Sequence, residues 1–262
     1  MTGEAPAKIS LRNVVKKFGG NTVLDGLSLD LPAGRNLALI GCAASGKTVL
    51  LKCLVGLYPV DGGTIEIEGT EISSLGAGQR GIMLDRFGVL FQRSALFDSL
   101  PVWENIAFKR VAIGGTRRKD AREAAIIRLR QVGMTPETAD LLPASLSGGM
   151  QKRVALARAI MEAPDILLLD DPTAGLDPIL TRVINELIAR LAEETGATVL
   201  SVTSDMDAMR RDYSEVAMLH DGRIIWSGPI SEIDHAGNPY LDQLVNGRPD
   251  GPIKMRLRKR AA

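Results

Sequence analysis

Short, almost wholly apolar runs alternate along the chain with longer amphipathic stretches. The apolar runs lie at residues 37–40, 166–169 and 198–202, and their length and turn-rich boundaries predict strands buried on both faces. Pro178 begins a segment that predicts a long amphipathic helix, because one face carries Leu180, Val183, Ile184, Leu187, Ile188 and Leu191. Strands that alternate with helices favour a mainly parallel sheet.

The remaining pattern predicts a different kind of strand and a helical block. Residues 8–31 predict two short strands around a turn, and the alternation of residues 64–68 is typical of a half-buried strand. A further strand is expected at residues 87–92, ending at Gln92. Residues 103–144 change to a helical pattern rich in arginine, with one apolar face, and this block is interpreted as an inserted helical subdomain.

Composition excludes several classes of protein. The 262 residues include 32 basic and 31 acidic side chains, so the net charge of +1 gives no global indication of a nucleic-acid partner. Cys42 and Cys53 are too few for a disulfide framework and lack metal-ligand spacing, which favours a reducing compartment. Because no apolar run is long enough to cross a bilayer, we expect any membrane role to come through a partner.

The most informative segment is residues 41–48, which follow an apolar strand with the spacing G-x-x-x-x-G-K-T. Gly41 and Gly46 allow a tight approach of the backbone to an anion, and a helix then begins with unpaired amides. Lys47 would reach the β- and γ-phosphates, and the Thr48 hydroxyl would ligate Mg²⁺. A ligand-free connection explains the flanking strand and helix less well. The candidate nucleotide-binding residues are Gly41, Cys42, Ala43, Ala44, Ser45, Gly46, Lys47, Thr48 and Val49.

Five further features follow in a fixed order: Gln92 at a strand end, L-S-G-G-M-Q at residues 146–151, I-L-L-L-D-D at 166–171, A-G-L-D at 174–177 and S-V-T-S-D at 201–205. This order resembles the ATP-binding subunit of ABC transporters across residues 8–235. The resemblance implies an α/β P-loop NTPase core with a mainly parallel sheet, an antiparallel β subdomain and an inserted α-helical subdomain at about residues 100–160. Residues 236–262 would form a C-terminal extension that could pack on a neighbouring subunit.

The resemblance implies ATP and Mg²⁺ as cofactors and gives the metal-binding residues as Thr48, Gln92 and Asp170. Asp170 would hold Mg²⁺ through water. Gln92 would contact both the metal and the attacking water, and would relay ATP occupancy to a membrane permease. A carboxylate at the end of a buried apolar strand also has a charged partner in most proteins, which agrees with a metal at Asp170.

Other implied residues act between two ATP-binding subunits. Ser147, Gly148 and Gly149 begin a helix that would close on the ATP held by a second copy, so that two chains share each nucleotide. Asp177 would bridge the subunits. Phe18, at the end of the first strand, would stack on adenine, although ordinary core packing explains its position equally well. A homodimer is expected, and a heterodimer remains open.

Two positions depart from the family's pattern, and both concern hydrolysis. The family's usual glutamate after the Mg²⁺ aspartate is replaced by Asp171, and its usual histidine by Ser204. The shorter carboxylate is withdrawn by roughly 1 Å, a misplacement that can cost on the order of a hundredfold in rate. With Gln92, these residues form the candidate catalytic set. We expect ATP binding and dimer closure to be intact and hydrolysis to be slow.

Residues 41–52, 89–97, 177–179 and 238–253 resemble the ATPase of the Mla-type, MCE-linked lipid transporter. This resemblance implies phospholipid transport between the inner and outer bacterial membranes, with the chain at the cytoplasmic face of the inner membrane. The implied partners are a permease, an MCE-domain lipid-binding protein and a small STAS-domain regulator. Alternatives are an ATP-gated clamp with weak hydrolysis and a small-solute importer. An ATPase acting on DNA or ribosomes and a P-loop kinase fit less well.

Two surface segments carry separate expectations. In the family, the segment corresponding to residues 96–107 docks the permease, although Trp103 is expected in the core of the helical subdomain. The last residues, 253–260, alternate apolar and basic side chains. They could form an arm on a neighbouring subunit, contact anionic lipid or remain a solvated tail.

Overall fold

The strands form two sheets of different character. The computed structural model describes residues 7–92 and 94–254. Its strands are β1 (Ala7–Phe18), β2 (Asn21–Pro32), β3 (Asn36–Ile40), β4 (Gly62–Ile67), β5 (Thr70–Glu71), β6 (Phe87–Leu90), β7 (Ile166–Asp170), β8 (Thr198–Val202), β9 (Glu215–His220) and β10 (Arg223–Pro229). The first sheet is antiparallel in the order β2-β1-β4-β5, and the second has the order β10-β9-β3-β8-β7-β6. In the second sheet only the β9–β10 pair is antiparallel.

The helices cover the parallel sheet and form a separate helical block. They are α1 (Lys47–Leu54), α2 (Ala77–Leu84), α3 (Val102–Ile106), α4 (Phe108–Ile113), α5 (Arg118–Gln131), α6 (Gly148–Ala159), α7 (Pro178–Thr195), α8 (Met206–Asp212) and α9 (Pro239–Val245). Short 3₁₀ turns lie at Pro136–Asp140, Pro143–Ser145 and Ile230–His235. The expected fold class is confirmed: a mainly parallel sheet, an antiparallel β subdomain and inserted helices.

The register of the central strands positions the candidate site. Leu39 of β3 lies opposite Val202 of β8, and Asp170 of β7 also lies opposite Val202. The carboxyl ends of these three parallel strands therefore meet at one edge of the sheet, which is where open α/β sheets bind ligands. All five residues of β7 and of β8 are buried, as their apolar sequences predict.

Three apolar clusters form the core. One joins α3, α5, α6 and α7 to one face of the parallel sheet, and Trp103 lies in it with 8% of its surface exposed, which confirms the core position expected for this side chain. A second joins the antiparallel sheet to the other face through α1. The third packs α8 and α9 against β3 and β9.

A charge cluster ties the two sheets together. Glu68, after β4, accepts bonds from Lys8 at 2.6 Å and from Arg86 at 2.8 Å, and Arg86 also reaches Asp165 at 2.7 Å. The hydrogen bonds from Arg86 and Lys8 lower the pKa of Glu68 to about 2. This cluster therefore links β1 and the β4–β5 turn to the amino ends of β6 and β7.

Several boundaries differ from the sequence prediction. The strand expected at residues 87–92 ends at Leu90, so Gln92 lies in the following turn rather than at the strand end. The first two strands are 12 residues each rather than short. The basic tail lies almost entirely outside the described residues, which end at Lys254.

Candidate functional site

The loop after β3 is shaped by two glycines. Gly41 has φ +150° and Gly46 has φ +107°, both in the region that L side chains rarely adopt. A Cβ on Gly41 would lie 2.2 Å from the Leu219 carbonyl oxygen, and one on Gly46 would lie 3.1 Å from the Val23 carbonyl oxygen. The backbone thus packs too closely for side chains, and the loop leaves the amides at the start of α1 for an anion.

Lys47 is folded back over this loop. Its ammonium donates to the carbonyl oxygens of Gly41 and Cys42, each at 2.7 Å, and to the Ser45 hydroxyl at 3.3 Å. Burial lowers the pKa of Lys47. Donors that have only neutral acceptors gain a stronger, charge-assisted bond when a phosphate arrives, so this ammonium fits the role of phosphate ligand.

The remaining loop residues are exposed or half-buried. Ala43 and Ala44 are exposed, and Ala44 has a left-handed φ of +61°. Ser45 N donates to the Cys42 carbonyl oxygen at 3.2 Å and closes the turn. Val49 follows in the first turn of α1 and is half-buried.

Two oxygen ligands suited to Mg²⁺ meet beside Lys47. The Thr48 hydroxyl donates to Asp170 Oδ1 at 3.1 Å, and Asp170 is only 3% exposed. Burial raises the pKa of Asp170, and the bond from Thr48 acts in the opposite direction. Mg²⁺ prefers a few protein oxygens together with water and phosphate oxygens, and this pair fits that chemistry. In the described part of the chain no group of three or more His, Cys, Asp or Glu could hold a metal by itself.

The second carboxylate, Asp171, is held in a strained turn. Its φ is +50°, and its amide donates to the Val202 carbonyl oxygen at 3.0 Å. Ser204, two residues beyond the end of β8, donates its hydroxyl to Asp171 Oδ2 at 3.3 Å. Burial raises the pKa of Asp171, and the bond from Ser204 opposes this. The two residues that depart from the expected pattern are therefore direct neighbours.

The helix start at Ser147–Gly149 is separately capped. Ser147 accepts a bond from the Met150 amide at 3.3 Å, and a Cβ at Gly148 would meet nothing within 4 Å. Asp177 likewise caps α7 and accepts from the Ile179 and Leu180 amides at 2.9 and 3.0 Å. Among the described residues no hydrogen bond joins these two helix starts to the loop that holds Lys47.

Phe18 stands at the end of β1 with 43% of its surface exposed. It packs edge-on against Tyr58 with ring centroids 5.1 Å apart, and the Lys16 ammonium lies 5.3 Å from its centroid. Asp61 fixes this corner by accepting from the Lys17 amide at 2.6 Å and from Lys16. A ring that is exposed and held in place by its neighbours is better suited to stack on a flat ligand than to act as a core residue.

Comparison with known sequences agrees with this geometry. The sequence model of the ABC transporter family matches residues 24–174, which is more than half of the chain. This chain is an ABC transporter ATPase. It also resembles the dimeric ABC transporter cassette MJ0796, with a TM-score of 0.78 and 29% identity over 85% of this chain and 98% of that chain. A further structure of MJ0796 is described as a post-hydrolysis state bound to ADP and Pi.

Curated relatives of this ATPase carry diverse names. The probable ribonucleotide transport ATP-binding protein mkl of Mycobacterium leprae is 34% identical over 94% of this chain and 71% of its own length. The Arabidopsis thaliana chloroplastic protein trigalactosyldiacylglycerol 3 is 34% identical over 97% of this chain and 78% of its own. An Fe(3+) ions import ATP-binding protein of Rhizobium meliloti is 37% identical over 89% of this chain and 64% of its own.

At the strand edge of the ATPase, direct hydrogen bonds join Thr48 to Asp170 and Ser204 to Asp171, and Lys47 next to Thr48 bonds to its own loop. Sequence reasoning missed one residue there. Lys152 of α6 donates to the Gln92 carbonyl oxygen and, at 3.4 Å, to the Asp171 carbonyl oxygen. Its sequence signal was a lysine inside a helix whose neighbours Val154 and Ala155 are apolar. Within residues 7–92 and 94–254, no helix is long and apolar enough to cross a membrane.

Proposed function

We propose that this ABC transporter ATP-binding subunit powers the movement of phospholipid between the two membranes of a bacterial envelope. It would act at the cytoplasmic face of the inner membrane, with a permease, an MCE-domain lipid-binding protein and a STAS-domain regulator as partners. The observation that carries the choice of substrate is the similarity to trigalactosyldiacylglycerol 3, a protein named for a glycolipid, along 97% of this chain. The match extends beyond the ATPase core into the C-terminal residues.

In this proposal residues 41–49 hold the phosphates of ATP and Phe18 stacks on the adenine. Thr48, Asp170 and Gln92 hold Mg²⁺ when it is bound, and the metal neutralises charge on the phosphate oxygens. The helix start at Ser147–Gly149 closes on the nucleotide of a second copy, and Asp177 lies at the same junction. The amino end of that helix supports this role, because a helix amino end attracts anions.

Asp171 and Ser204 are the residues proposed to orient the attacking water. Ser204 offers one neutral hydrogen bond and carries no charge, and Asp171 is one methylene shorter than the glutamate of the family pattern. We therefore expect ATP to be bound well and hydrolysed slowly. A second candidate function, an ATP-gated clamp with little turnover, is favoured by the 3.3 Å bond between these two side chains.

The docking surface for the permease is proposed around two aromatic rings that pack against each other at a tilt. Phe97 and Phe108 have ring centroids 4.4 Å apart and are 42% and 39% exposed. Asn105 is buried and fixes this segment, because it accepts from the Phe97 amide and donates to the Leu100 carbonyl oxygen. The segment follows the turn that contains Gln92, so nucleotide occupancy has a short route to it.

The test is transport by the native complex. The tagged chain is purified with its membrane subunits from the cells that make it and reconstituted into liposomes that contain a fluorescent phospholipid. ATP should drive extraction or transfer of the lipid, and the complex with Lys47→Ala should not. ATP turnover that responds to methionine or Fe³⁺ but not to phospholipid would assign the chain to a small-solute importer instead.

A further inference from the structure

Lys152 is a buried cation that the proposed chemistry does not use. It lies in α6 with 6% of its surface exposed. Its ammonium donates to the main-chain oxygens of two residues that are 79 positions apart in sequence, Gln92 and Asp171. A buried ammonium is unfavourable unless its donors are satisfied. An apolar side chain would fill the same position without that cost, so the lysine has a specific reason to be there.

The backbone that this cation binds is strained. Asp171 has a left-handed φ of +50°, and beyond Gln92 the residues Ser94 and Ala95 have φ of +60° and +46°. Side chains other than glycine rarely adopt this conformation, and it persists only where the surroundings hold it in place. Both turns that carry the water-orienting side chains therefore depend on external contacts.

A second cation on the same helix holds the same turn. Arg158 donates to the Ser94 carbonyl oxygen at 2.6 Å and to the Ala95 carbonyl oxygen at 2.7 Å. It lies six residues after Lys152, which is a rise of roughly 9 Å along a helix. Helix α6 thus holds the turn after β6 through Lys152 at one point and through Arg158 at another. Lys152 also holds the turn of Asp171.

The position of α6 gives these contacts a functional consequence. The helix begins at Gly148 with Ser147 as its cap, and this is the start that is proposed to close on the nucleotide of a second copy. A displacement of the helix moves Lys152 and Arg158 with it. The two bonded turns follow, since their main-chain oxygens are attached to the helix through these cations.

We infer that Lys152 and Arg158 are positioning residues through which α6 sets the backbone of Gln92 and of Asp171 for water activation. The inference rests on the proposed ATPase function and deepens it. Lys152 couples two water-orienting groups to each other and to the helix that senses the second nucleotide. Arg158 keeps the Ser94 and Ala95 backbone in the conformation that presents Gln92.

Amide hydrogen exchange of the full chain tests the placement, with and without Mg–ATP. The Ser94 amide donates to the Phe91 carbonyl oxygen and the Asp171 amide to that of Val202. In Lys152→Met both amides should exchange about tenfold faster or more, and in the control Lys119→Met neither should change. Unchanged exchange at either amide, or an equal rise along the whole of α6, would overturn the inference.

Steady-state hydrolysis of radiolabelled ATP over a range of ATP concentrations tests the consequence. Lys152→Met should lower kcat about tenfold or more and leave KM within about twofold, and Lys152→Arg should restore most of the rate. If Lys152 acts through Gln92, adding Lys152→Met to Gln92→Ala should lower kcat by less than Lys152→Met does alone. Fully multiplicative effects would contradict the inference. If the chain proves not to bind ATP, amide exchange measured without nucleotide still shows whether Lys152 holds the two turns. Failure of the proposed ATPase function and failure of this inference are therefore distinguishable.

Discussion

The edge of the parallel sheet contains two neighbouring regions that differ in how they are built. The region proposed to bind phosphate rests on backbone shape and one ammonium, because Gly41 and Gly46 fix the loop and Lys47 points its three donors into it. The region proposed to activate water rests on the reach of two short side chains, Asp171 and Ser204, that contact each other at 3.3 Å. Both regions lie at the carboxyl ends of β3, β7 and β8, which are aligned with one another in the parallel sheet.

The difference shows which functions a small substitution can change. Substitutions at the end of β7, two strands from β3, leave the backbone amides of the loop and the long, flexible side chain of Lys47 in place. A water-orienting carboxylate must be placed to within a fraction of an ångström, and one methylene is enough to misplace it. The sheet edge can therefore retain nucleotide binding while the rate of hydrolysis falls.

The largest effect is expected in the phosphate-binding region. Lys47→Ala should weaken ATP binding about a hundredfold, because charged hydrogen bonds contribute about 1.5–3 kcal/mol each. Binding is measured by calorimetry with Mg–ATP. Lys119→Ala, an exposed lysine of α5, is the control and should bind normally. Native affinity in Lys47→Ala would remove the basis for the nucleotide site.

The next effect concerns the water-activating region. Asp171→Glu combined with Ser204→His should raise the rate of phosphate release by roughly ten- to a hundredfold, since it restores reach and a charged donor. The ATP affinity should stay within about threefold of the native value. A rate unchanged by the double substitution would mean that this region already works at full speed and that the two regions do not differ as argued.

A smaller effect is expected at the adenine end. Phe18→Ala should weaken ATP binding about tenfold, because stacking of a base on an aromatic ring contributes about 1–3 kcal/mol. Phe108→Ala removes an equally exposed ring from the helical subdomain and serves as the matched control. If both variants bind ATP equally well, Phe18 has a packing role with Tyr58 instead.

The smallest effect lies outside both regions, in the charge cluster that joins the sheets. The folded pKa of Glu68 is about 2, below its value in the unfolded chain. Its contribution to stability is therefore complete above about pH 4.5 and is lost as the pH falls toward 2. Glu68→Gln should lower the urea midpoint slightly at pH 7 and progressively less below pH 4.5. The shift is small because the carboxylate is half exposed. Glu123→Gln, at an exposed position of α5, is the matched control and should leave the urea midpoint at pH 7 unchanged.

Much of this arrangement could be predicted from sequence, because the decisive strands are almost wholly apolar. The runs that form β3, β7 and β8 have no alternative to burial, and the spacing of residues 41–48 defines the loop between β3 and α1. Elements with a weak pattern were missed. Helix α2 contains two glycines in eight residues, and α8 and α9 have only seven residues each, too short for a periodic face.

Contacts between distant segments were beyond sequence reasoning. Sequence placed Gln92 at a strand end, but the strand stops at Leu90 and the turn beyond it is held by cations from α6. The bond between Asp171 and Ser204 joins residues 33 positions apart, and the Lys152 contact to Gln92 joins residues 60 apart. Such pairings depend on tertiary packing and leave no local pattern in the chain.

The central claim is that the chain binds ATP strongly and hydrolyses it slowly. The lifetime of the ATP-bound dimer tests this claim most directly. The purified native chain is mixed with Mg–ATP, and dimer and remaining ATP are followed over time by light scattering and nucleotide analysis. The account predicts a dimer that retains ATP at least about tenfold longer than the dimer of Asp171→Glu with Ser204→His. A native dimer that loses its ATP and dissociates as fast as that variant would contradict it.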